Sequence, residues 1–172
     1  MNLLRFLVIS GNPISDLGPL SSLELDTLLA CSIQDIHPPS LAELDVRTLA
    51  LNDCNITNCS FATSIERLIN LSMAGTGICS IEDLRRTSLV ALDISRTGVH
   101  DLAPLTEIPL QFLRAEDTAV SKLDALSDSS IRTLFLSGSQ IESLASLRGT
   151  DLERLDVSCT AVYDLSPLRE VP

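Results

Sequence analysis

One spacing recurs along the chain and decides what it can fold into. Leu152, Leu155, Val157, Val162, Leu165 and Leu168, with Thr160 among them, keep the same intervals as Leu89, Leu92, Ile94, Val99, Leu102 and Leu105 around Thr97. The frame opens again at Leu68, Leu110 and Ile131. A unit this short cannot bury its own aliphatic residues. It must stack on copies of itself, so the repeat sets the architecture before local propensity does.

Aligning the aliphatic residue after the Thr position gives Ile14, Ile33, Ile56, Ile78, Val99, Val120, Ile141 and Val162. Their separations are 19, 23, 22, 21, 21, 21 and 21, which predicts eight repeats, uneven at the N-terminal end. Intervals of three and two do not fit one amphipathic helix, and the L-x-L pair reads as a short strand with alternating faces. The Thr position is filled by Asn12, Cys31, Cys54, Thr76, Thr97, Thr118, Ser139 and Thr160. Each hydroxyl there is expected to bond the backbone of a neighbouring turn. D-L-x-P-L follows at Asp16–Leu20, Asp101–Leu105 and Asp164–Leu168. The Asp can cap a short helical turn and the Pro stops it from growing. In the second repeat the frame puts Asp26 in an inward position, flanked by Leu25 and Leu29. A carboxylate buried without partners costs several kcal/mol, so a bulge or register slip is expected over residues 25–30.

The pattern L-x-x-L-x-L-x-x-(N/C/T)-x-(I/V)-x-x-L resembles the leucine-rich repeat over nearly the whole chain. A 21–22-residue period with D-L-x-P-L is similar to the short repeats of protein-phosphatase regulators and bacterial internalins. Thr in place of Asn resembles trypanosomatid leucine-rich proteins, some of them linked to adenylate-cyclase regulation. The resemblance implies an α/β fold: a right-handed curved solenoid with a parallel β-sheet on the concave face. The convex face would carry 3₁₀ turns or extended chain. Residues 1–172 are read as one array of about eight repeats. Nothing precedes Leu4 to cover the first layer, and PLREVP at 167–172 matches PLTEIP at 104–109, after which Leu110 opens a repeat. Solenoids need polar ends, so the sequence reads as a slice of a longer protein.

Composition narrows the function. Hydrophobic residues make up 45% but aromatics only 3%, which suits stacked identical layers. The balance of 12 Lys+Arg against 23 Asp+Glu gives a net charge of −11. Such a chain has no basic surplus with which to displace counterions from phosphate backbones, and nucleic acid is not expected as a partner. No run approaches the roughly 20 apolar residues needed to cross a bilayer, and membrane insertion is not expected. Residues 2–10 resemble a short leader core, but Leu4, Leu7 and Ile9 already sit in the repeat frame. Five cysteines (Cys31, Cys54, Cys59, Cys79 and Cys159) are an odd set without paired spacing, unlike a secreted disulfide scaffold. A cytoplasmic location is expected. Asn55, Asn58 and Asn70 head glycosylation sequons, the one feature favouring a secreted or cell-surface protein.

Catalytic signatures are missing. Phosphate-loop, HExxH and GxGxxG patterns do not occur, and His100 beside Asp101 is no dyad because sequence neighbours point apart. Zinc needs four converging ligands, and Cys31, Cys54 and Cys59 read instead as buried structural thiols, with Cys159 at a reachable rim. A non-enzyme is expected, with no cofactor, metal or small-molecule ligand.

Outward positions on the strands are free of packing duty. One column reads Val8, Thr27, Ala50, Ser72, Asp93, Arg114, Phe135 and Asp156. The column before it reads Phe6, Leu25, Thr48, Asn70, Ala91, Phe112, Thr133 and Arg154. Arg114 should lie between Asp93 and Phe135, and Phe112 diagonally near Phe135. With Arg96, Glu116 and Arg132 around them, these residues have the composition of a protein-binding hot spot. The plainer readings are an Asp93–Arg114 cross-strand ion pair and two rings covering wetted sheet. The candidate partner-binding set is therefore Asp93, Arg96, Phe112, Arg114, Glu116, Arg132, Phe135, Arg154 and Asp156. Three roles fit the chain as a whole: a protein-binding module, possible regulator of an enzyme; a structural arm in a larger assembly; and an extracellular recognition or adhesion protein.

Overall fold

In the computed structural model, which describes residues 3–171, eight parallel strands lie side by side in chain order. They are β1 Phe6–Val8, β2 Glu24–Leu29, β3 Asp45–Ala50, β4 Asn70–Ser72, β5 Ala91–Asp93, β6 Phe112–Arg114, β7 Thr133–Phe135 and β8 Arg154–Asp156. Their register aligns Leu7, Leu28, Leu49, Leu71, Leu92, Leu113, Leu134 and Leu155 in one inward row. Behind it, buried aliphatics form one continuous core from Leu17 to Leu147, with Phe61 as its buried aromatic.

The chain returns to each new strand through a single turn. Most are 3₁₀ turns, such as Gly18–Leu20, Ala103–Leu105 and Ser166–Glu170, and one is a lone α-turn, α1, at Pro38–Leu41. In the three D-L-x-P-L copies the amides of Gly18, Ala103 and Ser166 donate to Oδ1 of Asp16, Asp101 and Asp164, each at 2.8 Å. The proline sits in the first turn, where no amide donor is required. Donation from the Ser166 amide and then its hydroxyl holds the Asp164 carboxyl below its ordinary range. A depressed folded value means this support is complete above the ordinary carboxylate range and is lost as acid titrates through the lowered one.

The second repeat is more regular than the aliphatic alignment predicts. The strand register pairs Leu28 with Leu7 and Leu49, and Thr27 with Phe6 and Thr48. The outward residues of β2 are therefore Thr27 and Leu29, and Leu25 is buried in the core. A left-handed residue marks the same place in each repeat: Gly11, Ser32, Asp53, Gly75, Arg96, Asp117, Gly138 and Cys159, with φ between +52° and +71°. The next residue fills the Thr position, so in the second repeat that residue is Ile33 and not Cys31. The row is then spaced 21, 21, 22, 21, 21, 21 and 21, and the apparent 19 and 23 came from a two-residue misalignment. Asp26 does not enter the core. Its carboxylate is half exposed, 3.4 Å from Arg67, which also meets Asp45 at 3.1 Å.

Five of those eight left-handed positions carry side chains, at a backbone cost of roughly 1–2 kcal/mol each. Gly75 and Gly138 meet a second constraint, because a β-carbon on either would collide with the carboxylate of Asp53 or Asp117 from the preceding repeat.

The Thr positions also behave differently from expectation. Thr76, Thr97, Thr118 and Thr160 donate to the carbonyls of Met73, Ile94, Ala115 and Val157, at 2.6–2.8 Å. Each bond closes a turn three residues back inside its own repeat and does not couple repeats. Cys54 does couple them: its thiol donates to the Ala30 carbonyl at 3.1 Å and accepts from the Ile33 amide at 3.5 Å. Ser139 is buried with its hydroxyl unpartnered. Thr118→Val is accordingly expected to cost about 1 kcal/mol, the loss of one local hydrogen bond. Ser139→Ala is expected to change stability by less than about 0.5 kcal/mol, because it removes no such bond. Urea midpoints compare the two.

Candidate functional site

Strands β5 to β8 present the charged and aromatic part of the sheet's outward face. The pleat that points Leu92, Leu113 and Leu134 into the core points Asp93, Phe112, Arg114 and Phe135 away from it. Arg114 lies opposite Asp93 on one side and Phe135 on the other, as the alternation predicts. The rings of Phe112 and Phe135 meet edge to face, with centroids 5.7 Å apart and planes at 63°. The Arg114 guanidinium stands 4.9 Å from the Phe135 centroid and 5.9 Å from that of Phe112. Both rings remain half-buried and neither is drawn into the core.

The Asp93–Arg114 ion pair of the plainer reading does not form. Arg114 leans toward Glu116 instead, with Nε 3.6 Å from Oε2. That Nε is buried and donates no hydrogen bond. One oxygen of Asp93 accepts from the Ser95 amide at 3.0 Å. A guanidinium held by two rings and one distant carboxylate is a donor whose capacity is partly unused.

The other candidates separate to the two rims and to β8. Arg96 sits at the rim where the strands end and reaches back across Gly75 to Asp53 at 3.2 Å. Arg132 lies at the opposite rim, paired to Glu153 at 2.8 Å, and Arg154 opens β8 in register with Thr133, two strands from Phe112. Asp156 neighbours Phe135 on β8 and accepts from Ser158, whose hydroxyl and amide lower its acidity range. Phe112, Arg114, Glu116 and Phe135 thus make one contact cluster, flanked by Asp93 and Asp156. Among the described residues no three His, Cys, Asp or Glu side chains converge as a metal site, and no helix is long and apolar enough to cross a membrane.

A feature that residue-by-residue reading missed lies beside the cluster. Across β3, β4 and β5 the outward residues are small, and they leave a trough of about 220 Å³ lined by Thr48, Ala50, Asn70, Ser72, Ala91 and Asp93, with Phe112 at its end. The run of small residues was the signal for it.

No protein-family model matches the chain, and no curated protein does. Solved structures do. An internalin (inlF) from Listeria monocytogenes superposes with a TM-score of 0.84 at 24% identity, over 97% of this chain and 52% of that one. Internalin C2 from the same organism gives 0.88 at 20% identity, over 98% of this chain and 77% of that one. The fold is the leucine-rich repeat solenoid. A TLR13–ssRNA13 complex also matches, with a TM-score of 0.71 at 16% identity, over 98% of this chain and 28% of that one. The chain spans about half the length of the inlF internalin.

Within this leucine-rich repeat the cysteines divide by layer. Cys54 and Cys59 lie inside, Cys31 is half-buried, and Cys79 and Cys159 are exposed. Burial pushes the Cys59 thiol up to about 12 and raises that of Cys54. Only the thiolate reacts. Iodoacetamide at mildly alkaline pH is therefore expected to alkylate Cys79 and Cys159 in the folded protein. Cys54 and Cys59 should react only after unfolding, as read by peptide mass mapping.

Proposed function

We propose that this chain is a non-enzymatic protein-binding module that holds its partner on the inner face of β5 to β8. The Phe112–Arg114–Phe135 cluster carries the reading. Aromatic and Arg side chains are the residue types that dominate interface energetics, and here they occupy positions the core does not need. The flanking Asp93, Glu116 and Asp156 supply charge that orients a partner without adding much affinity. A net charge of −11 favours a protein surface over a phosphate backbone. Docking on an enzyme that it regulates is the form of this role supported by the short-repeat resemblance, although the fold itself hosts many partners.

A photo-reactive residue tests the face used. Placed at Ser137, beside Phe135 on the inner side, it is expected to cross-link the partner. Placed at Ser143, on the return segment between β7 and β8, it is expected not to. Cross-linking from Ser143 alone would overturn the assignment.

A further inference from the structure

We propose that the trough across β3 to β5 seats one long basic side chain, Lys or Arg, of a protein partner. Its aliphatic stem would lie over Ala50, Leu71, Ala91 and Leu92, and its cation would sit between Asp93 and Phe112. The inference rests on the reading of the inner face as the docking surface and names what that surface selects.

Shape comes first. Neighbouring strands are about 4.8 Å apart, so three consecutive small-residue strands make a floor about 10 Å across. The floor is mostly apolar: Ala50 and Ala91 give it their methyl groups, and the backbone of Leu49, Leu71 and Leu92, whose side chains are buried behind it, runs between them. Asn70 and Thr48 hydrogen-bond each other at 2.9 Å, and Ser72 donates to Asn52. Most of the polar side chains along the floor are thereby engaged within the protein.

Charge comes second. Asp93 is the one ionisable residue among those lining the trough. It is half-buried, and one of its oxygens takes the Ser95 amide. Among the described residues no cation pairs with it. Its cross-strand neighbour Arg114 has turned to Phe135 and Glu116. A partly desolvated carboxylate lacking a counter-ion attracts a cation strongly and disfavours a neutral occupant, which would remove its remaining water without pairing it. Phe112 closes the end of the trough with a ring, which also attracts a cation. A long basic side chain satisfies both demands, because its stem covers apolar surface while its head stays charged. The acidic surplus of the whole chain steers basic partners toward it.

Selection of short random peptides displayed on phage against the immobilised folded chain provides the test, followed by titration of the recovered peptides. The expected result is an invariant Lys or Arg among the binders. Its replacement by norleucine should weaken binding to the native chain about tenfold, and to Asp93→Asn less than about twofold. Asp93→Asn keeps an oxygen for the Ser95 amide, so it removes charge without removing that bond. Circular dichroism checks that the fold is retained. An invariant basic residue whose contribution is unchanged in Asp93→Asn would overturn the proposal, as would binders with no fixed basic residue. If binders are lost on Phe135→Ala yet ignore Asp93→Asn, the trough fails and the docking face stands. If binders ignore Phe135→Ala, Asp93→Asn and the trough-filling Ala91→Phe alike, both fail. Recovery of no binder also counts against both.

Discussion

Leu113→Ala is expected to lower the unfolding free energy by about 2–5 kcal/mol, the cost of a cavity that its neighbours cannot close. Leu113 is fully buried in β6, with Leu92 and Leu134 beside it in the inward row. Leu155→Ala removes the same atoms from the same row and is expected to cost about 1–2 kcal/mol, because Leu155 is only partly buried in the last strand. The difference is a consequence of one-dimensional stacking, in which an interior layer supports two interfaces and a terminal one supports one. Urea titration measures both. The interior variant is also expected to broaden the transition and lower its slope, since weakening a middle layer lets the two halves unfold apart. Equal costs at Leu113 and Leu155, with unchanged slopes, would show instead that the array behaves as one undivided core.

Legibility of this chain depended on whether a position was constrained by more than its apolar character. From Ile78 onward every strand, turn and outward column could be read, because Leu, Thr and the D-L-x-P-L cap agree on one frame. In the second repeat they disagree. Leu25, Leu28, Leu29 and Ile33 offer two registers two residues apart, and a shift of two keeps the alternation of faces intact. Aliphatic spacing alone therefore could not choose. The left-handed residue could have done so. Gly11, Gly75 and Gly138 each precede the Thr position, and carrying that column into the second repeat points to Ser32 and hence Ile33.

The site was legible only as far as backbone direction decides it. The neighbours of Arg114 followed from register, but its choice of Glu116 over Asp93 depends on where the guanidinium packs between two rings. The trough escaped notice for a different reason. No single residue announces it, and it exists only because three adjacent strands are all short of side-chain volume.

Phe135→Ala combined with Arg114→Ala is expected to weaken partner binding at least about 100-fold, as titration of the cross-linked partner would show. Truncation of one central interface anchor typically costs 2 kcal/mol or more, about 30-fold. The two losses should not simply add. The guanidinium sits 4.9 Å from the Phe135 ring, so each single change already disturbs the other side chain. Stability should shift by less than about 1 kcal/mol. Both residues are half-exposed, and the Arg114 Nε has no hydrogen bond to lose. Arg148→Ala, on the return segment after β7, controls for loss of positive charge and should bind normally. Native binding by the double variant would remove the cluster from the interface. If binding then proved sensitive to charge placed on the exposed apolar ends, at Val8 or Leu165, the chain would be an arm held through its terminal layers. Loss of binding in the double variant together with tolerance at Val8 and Leu165 excludes that role, because an arm gripped by its ends gains nothing from two rings and a guanidinium in the middle of its sheet.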